Sequence, residues 1–207
     1  MRISILILAF LLLIAVTNNR ASLALTPEPS MAPVVREPEK TGQKQSVQEL
    51  DRVERQKQLP AITAVFARHT SESQACRLAY LCYETTIGTP FKPIDLAELA
   101  LAETGGHALS GKAVSSEGAM GVWQLMPARA RSHGFKAAEM SRDEKCATAA
   151  VRELAVKLKV AGGDLAKAKR LYCGAGKQAR LYGIKTSKYR KQIMSLMEKE
   201  QKPVYGI

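Results

Sequence analysis

No apolar run in this 207-residue chain is long enough to cross a bilayer. The longest, Ile3 to Val16 with Ser4 as its one polar residue, covers fourteen residues, against the roughly 20 that a spanning helix needs. Histidine is scarce and dispersed, at His69, His107 and His133, and no Cys-x-x-Cys pair occurs. Neither a metal site nor a cofactor is therefore expected. Aromatics amount to one Trp, four Phe and six Tyr, and no basic run is interleaved with them. A base-stacking surface for nucleic acid is thus excluded. The absence of a tandem repeat removes solenoid architectures. No strand is expected beyond a short hairpin between about residues 112 and 125.

What is present begins with export. Met1-Arg2 precedes the apolar run, and Ser22-Leu23-Ala24 offers small residues at the two cleavage positions. Residues 1–24 read as a signal peptide cut after Ala24, which directs the chain to the bacterial periplasm or cell envelope. An uncleaved anchor is the alternative. No cysteine stands near the cleavage point, which argues against a lipoprotein. Pro27, Pro29, Pro33 and Pro38 stand among Thr, Glu, Lys and Gln, so 25–48 reads as a flexible tether that cannot bury enough apolar surface to order itself. Residues 49–69 form a helical lead-in, 70–200 the main domain and 201–207 a tail.

Four cysteines, Cys76, Cys82, Cys146 and Cys173, lie beyond the leader. An even count in an exported chain predicts two disulfides. Cys76 and Cys82 would point about 120° apart on one helix, so each is expected to pair elsewhere, with three connectivities open. Lys and Arg number 31 against 19 Asp and Glu, a net charge of +12. Such a surface favours an anionic partner. Lys157, Lys159, Lys167, Lys169, Arg170, Lys177 and Arg180 read mostly as a solvated face.

The periodicity is helical throughout. Helices are predicted near Val47–Leu59, ended by Pro60, over Ala61–Ala67, and over Ser71–Tyr83 with a capping box at Ser71 and Gln74. A second box at Ser141 and Glu144 opens a helix running to about Val160. Gly162-Gly163 ends it, Asp164 caps a helix carrying Tyr172, and a last helix spans about Ser187–Lys199.

One carboxylate stands out. From Pro93 to Ala102 apolar residues recur at helical spacing, and Leu96, Leu99, Ala100 and Glu103 share a face. Gly105-Gly106 is expected to stop the helix through a left-handed residue. Glu103 then sits in the last turn of an apolar stripe, where desolvation and the helix dipole both raise its pKa. An acid kept protonated near neutral pH can donate to a leaving oxygen. Next come a glycine-rich turn, Ser115 to Gly121, and the run Val122-Trp123-Gln124-Leu125-Met126-Pro127, with one amide inside it.

These two segments, Glu103-Thr104-Gly105 and Ala113-Val114-Ser115-Ser116-Glu117-Gly118-Ala119-Met120-Gly121-Val122-Trp123-Gln124-Leu125-Met126-Pro127, resemble the lytic transglycosylases of the soluble-transglycosylase type. Arg170 to Gly176 resembles that family's Ala-x-Tyr-Asn-x-Gly segment, and Ser187-Lys188-Tyr189 its distal Glu-Thr-x-x-Tyr. The departures are Thr104 for Ser, a longer gap between Glu103 and Ala113 that lacks the usual Asn-Pro, Trp123 for Met or Phe, and Cys173 for Asn.

The resemblance implies a mainly α, lysozyme-like domain with a short hairpin or loop region beside the catalytic helix. It implies cleavage of the MurNAc–GlcNAc β-1,4 bond of peptidoglycan to 1,6-anhydro ends, with Glu103 as acid and then base. Ser115, Gln124, Met126 and Tyr172 would bind or orient the substrate, and Tyr189 would support Glu103. It also accounts for a missing partner. Glycosidases commonly use two carboxylates, yet Glu117 lies in the glycine loop and Glu98 faces away from Glu103. Hydrolytic lysozyme action and a non-catalytic wall-binding role in an envelope-spanning machine are the alternatives. Glycan strands are the expected partner, a secretion or conjugation complex a candidate one, and a monomer the expected state.

Overall fold

The computed structural model describes residues 40–201. The expected leader, most of the tether and the tail beyond 201 lie outside them. Eight helices are described: α1 (Lys40–Gln56), α2 (Leu59–Phe66), α3 (Glu72–Thr86), α4 (Pro93–Thr104), α5 (Pro127–Ser132), α6 (Asp143–Val160), α7 (Leu165–Cys173) and α8 (Gly176–Gln201). Short 3-10 turns at Gly105–His107 and Ala137–Ser141 interrupt the connections. The hairpin expected near 112–125 is reduced to two isolated bridges, Val114 with Met120 and Met120 with Leu125. Among the described residues no helix is long and apolar enough to cross a membrane.

Helix α4 organises the rest. Every residue from Pro93 to Ala102 is buried, so it is not a one-faced amphipathic helix but a central one, apolar on nearly all sides. Helices α2, α3, α6 and α8 pack around it. The polar exceptions are neutralised in place. Lys169 Nζ lies 2.7 Å from Asp95 Oδ1 and also pairs with Glu98, while Arg190 Nε lies 2.9 Å from Glu98 Oε2 and also pairs with Asp95. Two acids and two bases thus tie α4 to α7 and α8. Lys169, expected on a solvated face, is instead 6 % exposed because it serves this cluster.

Several expectations are corrected. Helix α1 begins at Lys40, inside the stretch read as tether, because no proline follows Pro38 until Pro60. Its role is carried by Arg55, buried at 4 %, which donates to the carbonyls of Thr86, Thr89 and Phe91 in the α3–α4 connection. Pro60 opens α2 instead of ending a helix, since the first turn needs no N–H from it. Ser71 caps α3 as expected, accepting from Gln74 N. Arg142, not Ser141, precedes α6, and the Ser141 hydroxyl donates to Ala138 O instead. Asp164 caps α7 through Lys167 N. The last helix starts eleven residues before Ser187, at Gly176. The two expected disulfides do not form. All four cysteines are free, Cys76 and Cys173 exposed, Cys82 and Cys146 buried. Cys76 and Cys82 face opposite environments on α3, as their spacing requires.

Candidate active site

The end of α4 is built by backbone contacts from the loop that follows. Thr104, fully buried, donates its hydroxyl to Val122 O at 2.8 Å. The Trp123 indole N–H donates to Leu96 O at 3.0 Å, and the Tyr172 hydroxyl donates to Trp123 O at 2.9 Å. Thr104 and Tyr172 thus hold two consecutive carbonyls of the loop, and the loop's own indole is bound to a carbonyl of α4. Gly121 makes the approach possible. Its φ is +79°, and a Cβ there would lie 2.1 Å from Met140 O and 2.7 Å from Cys146 Sγ. No other residue fits that position.

Glu103 sits at the mouth of this arrangement, half-buried. Burial pushes its pKa up to about 7, opposed by the Tyr182 hydroxyl and by the charges of Lys185 and Arg129. The helix does not stop through Gly105, which keeps right-handed angles (φ −56°) and enters the 3-10 turn. The left-handed residues come later, at Ala108 and Leu109. Gly105 is needed for space, since a Cβ there would meet the Tyr189 hydroxyl at 3.3 Å.

The expected site residues divide. Gln124 adopts φ +48° and spends both amide hydrogens on Ala113 O (3.2 Å) and Gly121 O (2.8 Å). Its carbonyl oxygen is left as an acceptor, the only role the amide has remaining. Ser115 Oγ accepts from Ala119 N at 3.0 Å and closes the glycine turn. Met126 is part-buried and precedes α5, accepting Ala130 N at 2.9 Å. Tyr172 is buried, and burial with the nearby Glu103 charge keeps its hydroxyl protonated. Tyr189 is not the tyrosine at the carboxyl. It stands behind Gly105, edge-on to His69 with ring centroids 6.1 Å apart.

The tyrosine at the carboxyl is Tyr182, which sequence reasoning missed. Its hydroxyl is buried without a well-formed hydrogen bond and lies against Glu103. The signal was present, because Tyr182 and Tyr189 are seven residues apart and share a face of any helix that begins before both. Arg129 was also missed. It donates to Tyr172 O at 2.7 Å and pairs with the buried Glu153 of α6. Lys185 donates to Ala102 O, one residue from Glu103. Cys173 is close enough for the Glu103 charge to add to burial in raising its pKa, so it stays a neutral thiol.

A buried tyrosine pair, a half-buried acid and an amide on a glycine turn thus share one region of the fold. Residues 96–194 match the transglycosylase SLT domain. Over that stretch the chain is similar to transglycosylases of the SLT type. The matched stretch starts in α4 and runs into α8, so it contains Glu103, the glycine loop and all three tyrosines. The mostly helical structure is consistent with a lysozyme-like SLT domain. Helices α1 to α3 precede the SLT match and pack onto it through α2 and α3. No curated protein and no solved structure matches the chain.

Proposed function

We propose that this protein cleaves the β-1,4 bond between N-acetylmuramic acid and N-acetylglucosamine in peptidoglycan without water, leaving 1,6-anhydro ends. The observation that carries the reading is Glu103, one half-buried carboxyl with a pKa of about 7. No other carboxylate is among the groups that shift it. At neutral pH such an acid is populated in both protonation states, as a group that gives and then takes a proton must be.

In the first step Glu103 gives its proton to the glycosidic oxygen as the C1–O bond breaks. The substrate's own acetamido oxygen stabilises the cation at C1, which dispenses with a second carboxylate. The Glu103 carboxylate then accepts the proton of the C6 hydroxyl, whose oxygen closes onto C1. Tyr182 and Arg129 favour the ionised form that exists between the two steps. The Gln124 carbonyl, whose amide hydrogens are both taken, would accept the acetamido N–H. By the resemblance Ser115 and Met126 would contact the glycan. The apolar leader supports action in the cell envelope after cleavage near Ala24.

Mass spectrometry of wall fragments released by the purified protein tests this. Anhydro ends are lighter by one water than reducing ends. Reducing ends throughout would instead make the enzyme a hydrolase. Intact wall would leave a binding role.

A further inference from the structure

A groove of about 1270 Å³ runs along α8 and shares no residue with the candidate active site. Eight basic side chains line it against one acid, Glu98. Lys169 and Arg190 are taken up by the buried Asp95 and Glu98. The other six, Arg68, Arg170, Arg180, Lys188, Lys191 and Lys199, form no ion pair among the described residues. Four of them lie on α8, at spacings that keep them within one stripe of the helix. The stripe from Arg180 to Lys199 is roughly 28 Å long at the rise of an α-helix. Crowding six uncompensated cations into a concave surface costs self-repulsion and concentrates a positive potential. Nothing inside the protein requires it.

The deepest lining side chains are the paired Glu98 and Lys169, and apolar side chains stand nearer the rim. Ile184 is 69 % exposed at the centre of the stripe, and Ala166 and Leu196 line the groove beside it. The cations and Ile184 follow one helix lengthwise, which suits a linear partner, and a polyphosphate has no use for an exposed isoleucine. A ligand that is elongated, acidic on its flanks and apolar along one edge suits all three features.

We propose that the α8 groove is the docking site for an acidic amphipathic helix of a partner protein. The helix lays its apolar edge on Ile184 and its carboxylates against Arg180, Lys188 and Lys191. The site is separate from Glu103, and the proposal stands whether or not the protein cleaves peptidoglycan.

The probe is a fluorescent 18-residue peptide of Glu and Leu patterned as an amphipathic helix, with anisotropy as the readout. Binding should weaken by roughly tenfold or more in R180E/K188E/K191E. A control with the same charge change elsewhere, K112E/K159E/K167E, should bind within about twofold of the parent. Ile184→Ser, an exposed change that keeps the charge, should weaken binding about fivefold. Equal losses in the two triple variants would reduce the effect to net charge and overturn the proposal. Unchanged binding in Ile184→Ser would also overturn it, and does not depend on the triple variant folding. Tighter binding of polyphosphate, or of phosphatidylglycerol vesicles, than of the peptide would assign the groove to those partners instead.

Discussion

Helix α4 carries two glutamates five residues apart that have opposite fates. Glu98 is 1 % exposed and contacts two cations, Lys169 and Arg190. Glu103 is half-buried and forms no ion pair among the described residues. Burial raises the pKa of both. The difference lies in what opposes that rise. At Glu98 two charges in direct contact hold the carboxylate in place and it becomes a structural tie. At Glu103 a tyrosine and two more distant cations oppose it only in part, and the group remains free to exchange a proton. Both carboxyls stay above the ordinary value, so depth of burial does not separate them; direct contact with fixed cations does.

The sharpest way to break this comparison is to remove each carboxyl's charge in turn. Glu103→Gln should lower wall cleavage by roughly 10²–10⁴-fold, the usual contribution of general acid–base catalysis, while circular dichroism stays that of the parent. Glu98→Gln should act on stability instead. It leaves Lys169 and Arg190 with one carboxylate between them, a loss of about 3–5 kcal/mol by the precedent of broken buried pairs, measured by urea denaturation.

A subtler contrast concerns pH. Folding raises the Glu103 pKa from 4.5 to about 7, so the native state holds that proton more tightly than the unfolded chain. Stability associated with the neutral form is therefore complete below pH 4.5 and lost as pH rises through about 7. Glu103→Gln should match the parent at pH 4 and exceed it at pH 8 by on the order of 2 kcal/mol, allowing for its partial exposure. Cleavage should fade over the same upper range, because the first step needs the protonated acid. The smallest effect is expected at Tyr182→Phe. Losing the hydroxyl removes a group that lowers the Glu103 pKa, so the alkaline limb of the pH–rate profile should move upward by less than about one unit. A downward move would remove Tyr182 from the site.

The acid and its setting were legible in the sequence because they rest on local pattern. Helical spacing placed Glu103 at the end of an apolar helix, and the glycine turn announced a loop returning to it. The rest depended on contacts between distant segments. Nothing in the spacing of Lys169 separates it from its solvated neighbours; its burial follows from Asp95 and Glu98, more than seventy residues earlier. Tyr182 was missed because the last helix was started at Ser187, where the motif begins, although the helical run begins at Gly176. The cysteines were misread because even number was taken for pairing, while their positions on α3, α6 and α7 send two to the core and two to solvent.

The three hydrogen bonds from Thr104, Trp123 and Tyr172 have a further consequence. Two lock the loop by its main chain and the third by its buried indole, so the loop's shape is settled when the protein folds and is not remade at each turnover. The entropy of fixing Gln124 against Ala113 and Gly121 belongs to folding, outside any reaction cycle. Variants that loosen any of these donors would then slow the reaction through a more negative entropy of activation, visible as an Eyring plot displaced downward with its slope unchanged.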